Sequence, residues 1–253
     1  MTLDMRKLVA IAALTALAAC AAGPRPEMSR DRIDRVLAKA PGAAQPSRIV
    51  STELAFARAA REDGQWTAFR EYAADGALIH GRNGAIEAKP WLASLDDPDA
   101  AVQWAPREIW MSCDGALAIS QGRFEDPEGI VGSYVTVWQA QRDRTYRYLY
   151  DMAQPDDPQP PAKAPEAPPE PGEIRVTAID SVKGNVADCP RRGETAPARP
   201  ASLGEPSGVS PDGTLAWRWA QEDGVRRFQG FWLTEGEWRS ATDLAWSSPA
   251  EDE

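Results

Sequence analysis

Apolar residues recur at helical spacing early in the chain and at every second position later, so two kinds of element follow one another. In 47–60, Val50, Leu54 and Ala57 fall three and four apart, Ile49, Phe56 and Ala60 widen the stripe, and Ser47 stands where a cap belongs. This predicts a helix that Gly64 stops. A shorter helix follows with Trp66, Phe69 and Ala73 on one side, then an Asp75-Gly76 turn into a brief strand over 77–80 and a third helical piece over 88–95. Beyond Asp99 the period falls to two. Segments 102–112, 115–124, 130–140 and 145–152 alternate or run apolar, separated by Cys113-Asp114-Gly115, Asp126-Pro127-Glu128-Gly129 and Arg142-Asp143-Arg144. Four antiparallel strands are expected. On the third, Tyr134, Thr136 and Trp138 share a face; on the fourth, Tyr146, Tyr148 and Tyr150 are placed opposite Arg147, Leu149 and Asp151. Helices followed by such strands make an α+β fold, with the helices packed on one face of a curved antiparallel sheet.

Prolines mark where this first body ends. They crowd between 155 and 171, where neither a ladder nor a helix interior tolerates them, so 154–172 reads as a semi-rigid Pro-rich linker. A small β-rich module over 173–246 follows. Its strands are expected at 173–179, 214–221, 225–233 and 237–242, with turns at Pro211-Asp212-Gly213, Glu222-Asp223-Gly224 and Glu235-Gly236. A β meander of this size is marginal alone, which predicts docking on the first body. Asp114-Gly115-Ala116-Leu117-Ala118 is echoed by Asp212-Gly213-Thr214-Leu215-Ala216, a pattern that turn chemistry alone explains. Residues 247–253 form an acidic tail.

The amino-terminal 1–19 has a basic start, a short apolar run and the ending Leu17-Ala18-Ala19 before Cys20. It resembles a bacterial lipoprotein signal peptide, too short to span a bilayer. That resemblance implies cleavage before Cys20 and acylation of its thiol, leaving 20–46 as a tether. An ordinary cleaved signal, or a plain amino-terminal anchor, is the other reading. Ala21 rather than Asp after the cysteine implies the outer membrane, facing the periplasm, so the membrane becomes a partner through the lipid on Cys20. The formal charge of −10 and the lack of a basic stripe exclude a nucleic-acid partner.

Over 47–153 the order of elements, with ELAFARAAREDGQWTAFREYAADGALI (53–79) in front and YVTVWQAQRDRTYRYLYD (134–151) behind, resembles the SnoaL-like and ketosteroid-isomerase-like cone of the nuclear-transport-factor-2-like superfamily. The resemblance implies a curved sheet wrapped by helices around a pocket. Some members are isomerases, cyclases or dehydratases, and others bind or assemble, so fold leaves the function open. It also implies a homodimer formed through the open sheet face.

Candidate chemistry is sparse. His80, the only histidine, ends the short strand after the helices and is the one candidate catalytic base, with Glu87, Glu108 and Asp151 as unassigned carboxylate partners. Trp66, His80, Trp104, Tyr134 and Tyr148 are the candidate pocket-lining residues. The isomerase branch implies an acid pair facing a tyrosine; Tyr134 or Tyr148 offers the phenol, but no acid stands at an inward position on the neighbouring strands. One histidine and three cysteines do not make a zinc site, and no Gly-rich phosphate loop occurs, so neither metal nor cofactor is expected. With Cys20 lipidated, Cys113 and Cys189 remain as a disulfide candidate, or as two thiols buried apart. These features favour a periplasm-facing lipoprotein whose cone takes a small apolar ligand or a protein partner; the alternative is a cone enzyme acting on a small organic substrate.

Overall fold

The computed structural model describes residues 43–161, 181–191 and 193–247. The signal segment, Cys20, nearly all of the tether, much of the linker, the strand expected over 173–179 and all but the first residue of the tail lie outside the described residues. Helix α1 (Pro46–Glu62) has Pro at its start, where a missing N–H costs nothing, and Gln45 rather than Ser47 at its cap position. Its buried face is Ile49, Glu53, Phe56, Ala57 and Ala60. The stripe drawn through Leu54 is therefore one residue off: Leu54 is 55% exposed, and the adjacent carboxylate faces inward. Donors from the sheet make that possible, as described below.

Helix α2 (Gln65–Tyr72) leads into β1 (Ala73–Gly81), β2 (Gly84–Glu87) and the short α3 (Ala88–Leu92). Strands β3 (Gln103–Met111), β4 (Leu117–Glu125), β5 (Val131–Ala140) and β6 (Tyr146–Pro155) match the four expected segments. Beyond the undescribed segment, β7 (Lys183–Val186), β8 (Gly208–Val209), β9 (Leu215–Glu222), β10 (Val225–Thr234) and β11 (Glu237–Ser247) complete the order. Seven strands form one curved sheet in the order β2-β1-β6-β5-β4-β3-β7, and four form a second, β11-β10-β9-β8. The first sheet is mixed rather than antiparallel. Strand β1 lies parallel to β6 and β7 parallel to β3, because each arrives after a long excursion instead of a hairpin.

The alternation on β5 sorts the interior into two cores. Trp138 joins Phe56, Ala60, Leu92 and Ile109 between helices and sheet, whereas Val135 and Val137 face Leu215, Trp217 and Phe228 of the second sheet. The expected alternation on β6 breaks. Trp138 pairs with Tyr148 but Val137 pairs with Tyr150, so Leu149 is an extra residue, a β-bulge. Tyr148 therefore packs under the helices, Tyr150 turns to the second sheet, and Asp151 is delivered to the helix side instead of facing away from it.

Both sheets belong to one compact unit. The face opposite the helices, which the homodimer expectation needs open, is covered by the second sheet of the same chain. The two echoed turns meet there. In each, a serine hydroxyl donates to the aspartate two residues on, Ser112 to Asp114 at 2.5 Å and Ser210 to Asp212 at 2.6 Å. Across them, the Asp114 N–H donates to Asp212 (2.7 Å) and the Cys113 N–H to the Thr214 hydroxyl (3.0 Å). Beside these bonds Cys113 and Cys189 are disulfide-bonded, with Cα atoms 5.1 Å apart and a sequence separation of 76.

A covalent loop of this length restrains the unfolded chain by about 4 kcal/mol in the chain-entropy account. Reduction, or Cys189→Ser, is expected to lower the melting temperature by several degrees without abolishing the fold. Two free thiols by mass spectrometry under non-reducing conditions, with no shift of the melt on reduction, would contradict the bridge.

Candidate functional site

A cavity of about 290 Å³ lies between the helices and the first sheet. Aromatic side chains from four elements wall it: Phe56 from α1, Trp66 and Phe69 from α2, Trp91 from α3 and Trp104 from β3. These rings support one another, with Phe56 centred 4.7 Å from Phe69 and 4.8 Å from Trp104, and Trp66 5.9 Å from Trp91. They are edge-on or tilted, the arrangement the ring quadrupole favours. The sheet side contributes Tyr134 and Thr136 of β5, Asp151 and Ala153 of β6, and Ile79 of β1. Gln154, Arg82 and Arg226 border it where β1 and β6, which run in parallel, both end.

Behind the aromatic wall lies a polar cluster that periodicity could not reveal. The carboxyl of Glu53, fully buried on α1, accepts hydrogen bonds from Ser120 (2.5 Å), Trp104 (3.1 Å), Trp138 (3.2 Å) and Tyr134 (3.4 Å). Four donors answer the cost of burying it. Burial nonetheless pushes its pKa up to about 7, against the bonds from Ser120 and the two tryptophans. The Tyr134 phenol is held well above its ordinary value, first by burial and then by the nearby Glu53 and Asp151 charges, so it remains a donor. Gly122 is needed for this placement: a Cβ there would stand 2.7 Å from the Tyr134 ring and hydroxyl and 2.2 Å from the Ala105 carbonyl.

Asp151 is the carboxylate that meets the cavity itself. Its Oδ2 accepts from the Thr136 hydroxyl at 2.7 Å, and burial raises its pKa to about 6 despite that bond. An acid therefore does stand on an inward position beside Tyr134, contrary to the expectation from strict alternation. The bulge at Leu149 is the reason, and no pattern in the sequence marks it. Two buried acids therefore stand near Tyr134, Glu53 from α1 and Asp151 from β6, and of the two only Asp151 borders the cavity. Tyr134 and Asp151 were candidates in the sequence, whereas Glu53 was not.

Trp66, Trp104 and Tyr134 line the cavity. Tyr148 does not: it is buried among Phe56, Phe69 and Trp138, and its hydroxyl donates to the Phe69 carbonyl at 2.9 Å. His80 borders the cavity, yet both ring nitrogens are engaged on the side of the second sheet. Nδ1 accepts from Tyr150 at 2.7 Å and Nε2 donates to Gln221 Oε1 at 3.1 Å, while the same amide donates to the Arg82 carbonyl. This network assigns the neutral tautomer. Burial keeps the ring's pKa below the usual histidine value, opposed by the Gln221 bond. Held in this way, His80 joins the two sheets and has no free nitrogen to act as a base. Glu87 and Glu108 do not border the cavity, and Glu108 pairs with Lys183 at 2.7 Å. Among the described residues no cluster of side chains suits a metal ion.

Solved structures similar to part of this chain are NTF2-like and ketosteroid-isomerase-like. They include an NTF2-like protein of unknown function from Shewanella baltica (12% identity, 45% of this chain, 98% of the other, TM-score 0.34). A ketosteroid isomerase candidate from Shewanella frigidimarina (16% identity, 40% and 91%, TM-score 0.30) is another. A third is a candidate calcium/calmodulin-dependent kinase II association domain from Exiguobacterium sibiricum (18% identity, 43% and 92%, TM-score 0.33). Likeness at this level decides nothing about chemistry. No protein-family model and no curated protein matches the chain.

The raised carboxyls have a consequence for stability. Glu53 and Asp151 bind protons more tightly when folded, so their stabilising contribution is full below their ordinary values of 4.5 and 3.8 and is lost as pH rises through about 7 and about 6. His80 acts with the opposite sign, adding stability as pH rises to 6.5. Comparison with Glu53→Gln separates them. Between pH 5 and 8 the wild type is expected to lose on the order of 2–3 kcal/mol more than the variant in denaturant titrations. Parallel pH profiles for the two proteins would show that Glu53 does not titrate in this range.

Proposed function

We propose that the chain works as a small-molecule pocket protein, taking an apolar, ring-bearing ligand between helices and sheet. The observation that carries this reading is the cavity of about 290 Å³, walled by aromatic rings, with Asp151 and Thr136 as a polar point on the sheet and a few polar side chains at its rim. Apolar enclosure with a small number of placed polar groups is the usual composition of a ligand site, and the volume suits one or two fused rings. The face that would serve a protein partner on the sheet is covered within the chain, which favours the small ligand over assembly through that face. In this reading the second sheet is a permanent cover. Anchorage through a lipid on Cys20, at the outer membrane and facing the periplasm, belongs to the same proposal; it rests on the signal-like sequence alone.

Catalysis is the second reading, and Asp151 is what favours it. A carboxyl raised to about 6 by an apolar wall is suited to take a proton from a carbon or oxygen acid near neutral pH. Tyr134, kept protonated on the neighbouring strand, would have to turn its hydroxyl proton from Glu53 to serve as a donor toward negative charge in the cavity. The chemistry open to this pair is proton abstraction beside a carbonyl, with the proton passing to Asp151.

Binding is tested with naphthalene derivatives by calorimetry and by quenching of tryptophan fluorescence. Micromolar to millimolar affinity is expected for the wild type, with at least tenfold loss in Ala153→Phe, which fills the cavity from β6. No binding by any of them, or equal binding by the filled variant, would remove the pocket reading. Catalysis is tested by exchange of the α-protons of 2-tetralone in deuterated water, followed by NMR. Acceleration that vanishes in Asp151→Asn while tetralone still binds supports the enzyme; unchanged exchange leaves a binder.

A further inference from the structure

Arg226 is the residue neither reading uses. It belongs to β10 of the second sheet, is 2% exposed, and sends its guanidinium to the end of the first sheet, where it borders the cavity. There Nη1 donates to the carbonyls of His80 (2.8 Å) and Ala153 (3.3 Å), and Nη2 donates to the Gln154 side-chain carbonyl. All three acceptors are neutral. Among the described residues no carboxylate makes an ion pair with Arg226, and its buried Nε–H has no hydrogen-bond partner.

A guanidinium buried without an anion is costly, because neutral carbonyls orient its protons without cancelling its charge. Burial pulls its pKa below the ordinary arginine value, the Tyr150 phenol opposes this, and the like charge of Arg82 adds to it. Arg82 borders the same end of the cavity. In a chain with a formal charge of −10, two cations thus converge on one rim of an apolar pocket.

We infer that the pocket's ligand is a small ring-bearing carboxylate, its anionic group held at the rim by Arg226 and Arg82 and its ring lying inward among Trp104, Phe56 and Trp66. This rests on the pocket reading above and names its ligand class. A planar fork suits a planar carboxylate better than a rounder or more highly charged group. The two buried acids deeper in oppose a second negative charge. Asp151 stands two residues before Ala153 on β6, about 7 Å further along the strand at the usual rise. The spacing is one ring's width. Such a ligand presents its carboxylate to the second sheet's arginine and the opposite edge of its ring to Asp151, so the second module contributes directly to what the first one binds.

The test compares 2-naphthoate with 2-naphthamide, its neutral isostere, by calorimetry on the full chain at pH 7.5 and low salt. The acid is expected to bind at least tenfold tighter than the amide, with the ratio falling as salt is added. In Arg226→Gln the ratio should fall to within twofold while amide binding persists. Should that variant fail to fold, Arg82→Gln serves, with a severalfold loss of the ratio. Equal affinities in the wild type, or a ratio unchanged in a folded Arg226→Gln, overturn the inference and leave Arg226 a tie between the sheets. Binding of the amide alone keeps the pocket reading, whereas no binding of either compound removes both.

Discussion

One extra residue in one strand organises this molecule. With Leu149 bulged out, Tyr148 and Tyr150, two apart in sequence, point to opposite faces of the sheet, and Asp151, which a regular strand would have turned outward, faces the helix side. Each consequence carries part of the fold. Tyr148 fills the core under the helices, Tyr150 holds the His80 ring against the second sheet, and Asp151 gives the cavity a carboxyl on its sheet wall. A register change of one residue reverses every side chain beyond it, and here that reversal separates a packed half of β6 from a pocket half.

The two sheets depend on each other through polar as well as apolar contacts. Trp217, Phe228 and Leu215 close over Val135, Val137 and Ile119 with their apolar surface. Specificity of docking comes from the paired Ser-x-Asp-Gly turns, the Cys113–Cys189 bridge, the His80 network and Arg226. Such directional contacts fix one arrangement where a greasy face alone would accept several. The pocket lies on the far side of the first sheet from this interface, yet its rim includes a residue of the second. Cover and cavity are therefore one construction.

Glu53 shows how a local rule yields to tertiary context. On α1 periodicity points Leu54 inward, and a carboxylate in that role is costly. It is tolerated because Ser120, Trp104, Trp138 and Tyr134, drawn from three strands, converge as donors on one point. A single strand's sequence contains one or two of those groups, and nothing in it indicates that they meet. The only sign available was negative: a glutamate within the helical face, with indoles and a phenol on later strands that each require a partner when buried.

Hydrophobic periodicity by itself determined the α+β class, the existence of α1 and α2, the boundaries of β3 to β6, β9 and β10 to within a few residues, and the start of β11, whose end lies five residues beyond the expected one. These are local properties, written in spacings of two and of three to four and in Asp-Gly or Glu-Gly turns. The short β2, β7 and β8 were not legible, since four residues or fewer carry no period and take their form from the strand beside them. Nor were the parallel pairings, which depend on where a long connection returns. The tertiary structure alone decided which acid meets the cavity, that His80 is committed on both nitrogens, that Tyr148 is core, and that an arginine about 150 residues from the first helices reaches the rim. Each of these depends on register or on contacts between distant segments, and neither quantity is encoded at the position where its effect is felt.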